Sequence, residues 1–550
     1  MRRPLPSFLR LPLAGSVALC LCWALLAAHA QNLSGASGFA VRGTVLNDAT
    51  GQPVARAEVV LGNDQAQLTA GDGTFSFDNV SAGSFSVAVR KPGYLGFGHS
   101  SSSQAGPPRS ILVGPEMPAL TFRITPEAGI FGHITLSTAD PADEIQVSIF
   151  RRDLQDGRPH WSLAAIEKTR SDGSWRVAGL APGRYMVFTD AWIDGQNDPE
   201  NSLAPVFGFP GLYYPGVTDA GSAGVLALRA GQQAQADMTL VRQQFFPVAI
   251  AIQGMPDTPT SLTITDSGGQ RTGLPVHLDP RSRVAHANVP NGAWTLIAHA
   301  FGATMRFGRA NFQVGGAPVD LALTVTPLPP LQFIINRDFT ASADGAPPSN
   351  QWGWMNLSLL PADDFAEGAG IRSVHSDDGS NGTRYELDVF QPGKFWVSTT
   401  NPGSTYVASV SSGGADLATT PLTVSPDNPP QPVEVTLRND SGTIAGQIDS
   451  PSPRASGVSG EQPQIWIYAI PLFSTTNRVP DTLLRDNNQF TLPNLAPGSY
   501  RVVACDARQE IDFHSTEGLA AWSGKGQVVT VDPSGTANVE LTVIHGDPSP

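Results

Sequence analysis

Apolar and polar residues alternate over short stretches of this chain, and the alternation returns at domain-sized intervals. In Asp72–Arg90, Phe75 and Phe77 flank Ser76, while Phe85, Val87 and Val89 alternate with Ser84, Ser86 and Ala88. A period of two places each set on one face of a strand, so two half-buried strands are predicted with a bend between them. The skeleton is an apolar residue, another five on, a glycine three further and an aromatic two beyond. It reads Phe75, Val80, Gly83, Phe85, then Trp175, Leu180, Gly183, Tyr185, then Val284, Val289, Gly292, Trp294. Two more copies follow, Tyr385, Phe390, Gly393, Phe395 and Phe490, Leu495, Gly498, Tyr500. The internal spacing is constant and the unit recurs about every 100 to 110 residues.

Pro182-Gly183, Pro392-Gly393 and Pro497-Gly498 predict type II turns, with proline setting φ and glycine taking the positive φ that follows. Asp72-Gly73, Asp172-Gly173 and Asp378-Gly379 mark a second turn upstream of the unit. Helical signals are scarce; Trp161–Lys168 is long enough for two turns but lacks a sustained amphipathic period. The pattern predicts an all-β string of small sandwiches, with Phe85, Tyr185, Trp294, Phe395 and Tyr500 each in a separate core.

The first copy sits in a longer context. Phe39–Leu61 reads as a strand, a turn through Thr50-Gly51-Gln52-Pro53 and a second strand, and Lys91-Pro92-Gly93-Tyr94 follows the unit. Over Gly43–Gly96 this order and spacing closely resembles the carboxypeptidase regulatory-like domain. The resemblance implies a seven-stranded transthyretin-like (prealbumin-like) sandwich of secreted and surface proteins, a fold shared with carbohydrate-binding-like modules. Phe209–Gln232, with its Tyr-Pro-Gly segment, resembles a second module of such multi-domain proteins.

The expected organisation is a signal peptide at 1–30, a flexible lead at 31–38, and a carboxypeptidase regulatory-like sandwich at 39–126. Further sandwiches follow at 127–242, 243–328 (the most divergent), 329–438 and 439–546, with a tail at 547–550. The leader reading rests on Arg2, Arg3 and Arg10, the apolar run Leu11–Ala28, and the Ala28-His29-Ala30 cleavage site. Pro12 and Gly15 break the run as a membrane anchor, and no later stretch approaches the length of a span. Secretion, to the periplasm or cell surface, is the expected localisation. Cleavage leaves Cys505 alone, so burial and not disulfides must hold the sandwiches together. The net charge is −14 and becomes −17 without the leader's three arginines, and no basic cluster stands out; nucleic acid is not an expected partner.

Signatures of chemistry are sparse. His514-Ser515-Thr516-Glu517 fits the short HxxE zinc pattern, but it lies in a β-domain without a placed third ligand and is read as coincidental. Asp194, Asn197, Asp198 and Glu200 crowd one loop, where carboxylates could gather Ca²⁺ or simply be solvated. Lys91, Lys168, Lys394 and Lys525 all miss the opening strands, where the isopeptide cross-link of pilin-type modules would need a lysine. Nucleophile elbows, phosphate loops and dinucleotide motifs are absent. The remaining candidates are aromatic. Trp192, Tyr213 and Tyr214 fall among Gly, Pro and Asp, and Trp352 and Trp354 share one strand face. Such rings either pack between domains or stack on sugar faces. These five are the candidate ligand-binding residues. No catalytic residue, metal or cofactor is expected. The function expected is a non-enzymatic scaffold or carbohydrate-binding array, with a polysaccharide or another cell-surface protein as partner. Assembly by strand addition is the alternative, and a peptidase-associated role a distant third.

Overall fold

The computed structural model describes residues 38–95 and 109–544, except 116, 194–204, 256–259, 267–268, 270–271, 302–304, 341–354, 364–371, 375–383, 388–390, 401–404, 427, 450–464, 485–487 and 507. The signal-peptide reading, the four-residue Ca²⁺ loop, Asp378-Gly379, Trp352 and Trp354 all fall outside the described residues. Among the described residues no helix is long and apolar enough to cross a membrane.

The protein is almost entirely β, and one wiring pattern occurs five times. Each opening strand pairs antiparallel with the first strand of the repeated unit: Phe39–Asn47 with Thr74–Val80, Ala128–Leu136 with Ser174–Leu180, and Gln243–Gln253 with Val284–Pro290. Leu331–Asp338 pairs likewise with Arg384–Leu387, and Gly442–Ile448 with Gln489–Leu495. On its other side each opening strand takes the closing strand in parallel. The strand after the unit's glycine lies in the facing sheet, between the second strand of its sandwich and a later one. Among the described residues ten sheets thus form five sandwiches, and the first shows seven strands.

The bend at the unit's glycine is not the predicted type II turn. Gly83, Gly292, Gly393 and Gly498 have φ of 148°, 148°, 155° and 153°. This stretched, positive-φ region is open essentially to glycine alone. The ring two residues on lies over the same strand face: a Cβ on Gly292 would meet Trp294 at 3.3 Å, and one on Gly393 would meet Phe395 at 3.4 Å. The polar tip of that ring reaches back four residues. Tyr185 Oη donates to Ala181 O at 2.7 Å, Tyr500 Oη to Ala496 O at 2.8 Å, and Trp294 Nε1 to Pro290 O at 2.9 Å. The Gly-x-aromatic spacing therefore ties a bend, a ring and a buried carbonyl together.

The five corners are not equally deep. Tyr185, Phe395 and Tyr500 are fully buried, whereas Phe85 and Trp294 are half-buried, against expectation. Val284 is also half-buried. In sandwiches one, two and five the register slips just before the unit's second apolar residue, at Asn79, Gly179 and Asn494, all with positive φ. The third sandwich pairs without a slip, so Ala285, Ala287 and Val289 point inward and Val284 turns away.

Trp161–Lys168, which lacked a sustained amphipathic period, belongs to the strand Arg158–Lys168, paired with Gln146–Gln155. The described residues of 39–91 and 109–124 make one compact unit, and those of 125–544 make another. Within the latter, Val206–Phe209, from the stretch expected in sandwich two, pairs with Gln243–Gln253 and extends the sheet of sandwich three. Its Phe209 joins the core of sandwich two while Val206 joins that of sandwich three.

Candidate functional site

Tyr213 has no exposed surface. It pairs with the strand Gly183–Thr189, its ring 4.6 Å from Phe188, in a small cluster with Phe150, Met186 and Ala220 on the outer side of that sheet. Its hydroxyl donates to Asp266 Oδ2 of the third sandwich at 3.2 Å, and burial pushes the phenol far above its usual range. A ring so enclosed offers no platform to a sugar; its place is interdomain packing. Trp192 is half-buried, with its ring 5.7 Å from Phe209, and Tyr214 is half-buried against the core of sandwich two. The two keep part of their surface free. Nearby Asp190 is pushed up to about 6 by burial, and Gln146 Nε2 donates to it at 2.5 Å.

A second junction joins sandwiches two, four and five. The hairpin Gln146–Lys168 turns at Asp156-Gly157, with φ of 48° and 75°, the geometry that an Asp-Gly pair favours. Asp156 pairs with Arg478 at 2.7 Å. The Arg158 guanidinium stands 3.5 Å above the Trp396 ring and donates to His514 Nδ1 at 3.2 Å. Burial pulls Arg158 down to about 10, with Asp512 opposing, and burial plus the Arg158 charge hold His514 down to about 4. His514 is thus a neutral acceptor for arginine. Glu517, its HxxE companion, lies in the short helix Thr516–Ala521 capped by Ser515. Sandwiches four and five are stitched further by buried Thr399, whose Oγ1 lies 2.9 Å from Thr476 Oγ1 and donates to Asn477 Oδ1 at 3.0 Å. Cys505 is buried and free, its thiol pushed up to about 11 by burial.

The sequence reading passed over one concave surface. An open depression of about 430 Å³ lies on the outer face of the opening sheet of sandwich two, lined by His133, Thr135, Pro215, Gly216, Asp237 and Thr239. It was visible in principle, because Ile130, Gly132 and Ile134 point inward and alternation sends Phe131, His133 and Thr135 outward. Among the described residues no three His, Cys, Asp or Glu side chains gather as metal ligands.

Residues 40–106 match the family profile of the carboxypeptidase regulatory-like domain. The chain carries that domain as its first sandwich. Solved structures similar to the chain include the Bacillus anthracis TIE protein, at 12% identity, 53% of this chain, 51% of that one and a TM-score of 0.17. A streptococcal ancillary pilin is 9% identical over 56% of this chain and 100% of its own, with a TM-score of 0.17. A minor pilin of Streptococcus agalactiae is 11% identical over 40% and 99%, with a TM-score of 0.16. The chain spans about half the length of the Bacillus anthracis protein. Comparison with curated proteins gives no match. The carboxypeptidase regulatory-like match ends at residue 106, so the four later sandwiches rest on their shared wiring alone.

Proposed function

We propose that the chain is a secreted, non-enzymatic scaffold that holds carbohydrate-binding surfaces in fixed relation outside the cytoplasm. The observation that carries the reading is the junction at Asp156-Gly157-Arg158, where the hairpin of one sandwich is seated against two others by ion pair, cation–π contact and hydrogen bond. The tip of that hairpin half-buries Arg158 and His514 beside the Trp396 and Phe513 rings. Perturbed groups such as Tyr213 and His514 sit in interdomain contacts and do not converge in a cleft, which favours architecture over catalysis. Secretion is supported by the charged, apolar and small-residue order of residues 1–30. Trp192 and Tyr214, which keep exposed surface, remain candidate ligand contacts. The test is co-sedimentation of residues 31–550 with insoluble cellulose, xylan, chitin and peptidoglycan. Depletion by at least one supports the reading, and depletion by none removes carbohydrate from it.

One observation favours strand addition as a second mode. The strand Arg158–Lys168, at the end of its sheet among the described residues, leaves Leu163 and Ile166 about half exposed, at 53% and 51%. Ala164→Pro would block that edge and abolish capture of a protein partner while leaving polysaccharide binding intact.

A further inference from the structure

On the outer face of the opening sheet in sandwich two, three features coincide that packing does not require. The first is Phe131, a large ring left 37% exposed between Arg176 and Gln235 on the neighbouring strands. The positions that pair in the same way in sandwiches one and five hold Arg42 and Ala445, so the fold does not ask for a ring there. The second is a break in the closing strand. It pairs with the opening strand at 233–235 and again at 238–240, while the corresponding strands of sandwiches one and five run unbroken. At the break Asp237 replaces a ladder carbonyl: its Oδ1 accepts from His133 N at 2.9 Å and its Oδ2 from Gln235 Nε2 at 2.6 Å. Gly132 admits this close approach, since a Cβ there would lie 2.2 Å from Ala236 O. Such interruptions re-aim side chains at functional sites. The third is the depression beside it, about 430 Å³ and walled by the Pro215-Gly216 loop.

We infer that this face is a glycan-binding surface, on which one pyranose of an oligosaccharide lies against Phe131 while the hydroxyls of the sugars that follow it along the strand meet His133, Thr135, Asp237 and Thr239. A ring flanked by hydroxyls, an imidazole and an orientated carboxylate matches the alternation of C–H face and O–H edge on a sugar. The inference rests on the carbohydrate reading above and places its ligand in sandwich two.

The experiment is isothermal titration of residues 31–550 with cellohexaose, xylohexaose, mannohexaose and chitohexaose. Phe131→Ala and the double variant Thr135→Ala/Thr239→Ala are run beside the wild type, with thermal melts to show that each variant is folded. All these side chains are exposed, so folding is expected to be unchanged. The assignment predicts that at least one oligosaccharide binds and that each folded variant binds it about tenfold or more weakly. Wild-type binding that both variants retain would overturn the site and leave the carbohydrate reading standing. Failure of the wild type to bind any of the four would overturn both. If the double variant does not fold, Phe131→Ala alone decides between these outcomes.

Discussion

Replacing Gly157 with alanine strikes the junction of sandwiches two and five at its tightest point. At φ +75° an L side chain is disfavoured by about 1–2 kcal/mol. The new Cβ would lie 2.2 Å from Phe513 Cε1 and 2.3 Å from its Cδ1, where an unstrained carbon contact is about 3.5–4 Å. The hairpin tip must therefore withdraw. Withdrawal lifts Arg158 off the Trp396 ring, a contact worth about 1 kcal/mol when partly desolvated. It also stretches the Asp156–Arg478 pair, worth at most about 1 kcal/mol because Arg478 is half exposed. Together the losses come to about 3 kcal/mol, or about a hundredfold in the opening equilibrium. Hydrogen exchange reads this directly, through amides at 155–159 and 511–516. Gly315→Ala, at a position with open space and no strained φ, is the control and should change nothing. Unaltered protection at 511–516 in Gly157→Ala would refute the claim that the hairpin holds the fifth sandwich.

Other outcomes follow from the corners and the buried ionisable groups. Tyr185→Phe and Tyr500→Phe each keep the ring but lose the bond to a carbonyl four residues back, and each should lower the stability of its own sandwich by about 1 kcal/mol in denaturant melts. Phe395→Ala should cost about 3–5 kcal/mol and Phe85→Ala clearly less, because only the first ring is fully buried; equal losses would count against the burial argument. Asp190, raised to about 6 from about 3.9, brings no penalty below pH 4 and a full one above pH 6. Asp190→Asn should then raise the melting temperature at pH 7.5 and leave it unchanged at pH 4. His514 behaves in the opposite sense: its contribution is present above pH 6.5 and is lost as pH falls toward 4. Exchange at 511–516 should accelerate over that window, and His514→Gln should flatten the dependence.

The strands and their repetition were legible because period-two alternation depends only on neighbouring residues, as Phe75-Ser76-Phe77 and Phe85-Ser86-Val87 show. What escaped depends on partners distant in the chain. The third-sandwich register turns on whether one residue before Val289 adopts positive φ, and Asn288 there resembles Asn79 and Asn494, which do. Trp161 and Tyr213 read as loop or helix residues because a short polar neighbourhood hides the sheet that each covers. Asp156-Gly157 was a readable hairpin turn, but nothing local says that its tip meets Phe513 and Trp396, hundreds of residues on. The outward row Phe131, His133, Thr135 could have been found by asking which alternating positions place a ring on the solvent side.

The central claim is that sandwiches two to five act as one body, and a distance distribution between sandwiches two and five tests it most directly. Spin labels on cysteines at exposed Glu167 and Thr536 report it, and Cys505 stays unlabelled because it is buried and its thiol is pushed up to about 11. The account predicts a single narrow distribution that broadens in Gly157→Ala. A broad or multimodal distribution in the unsubstituted protein would contradict it.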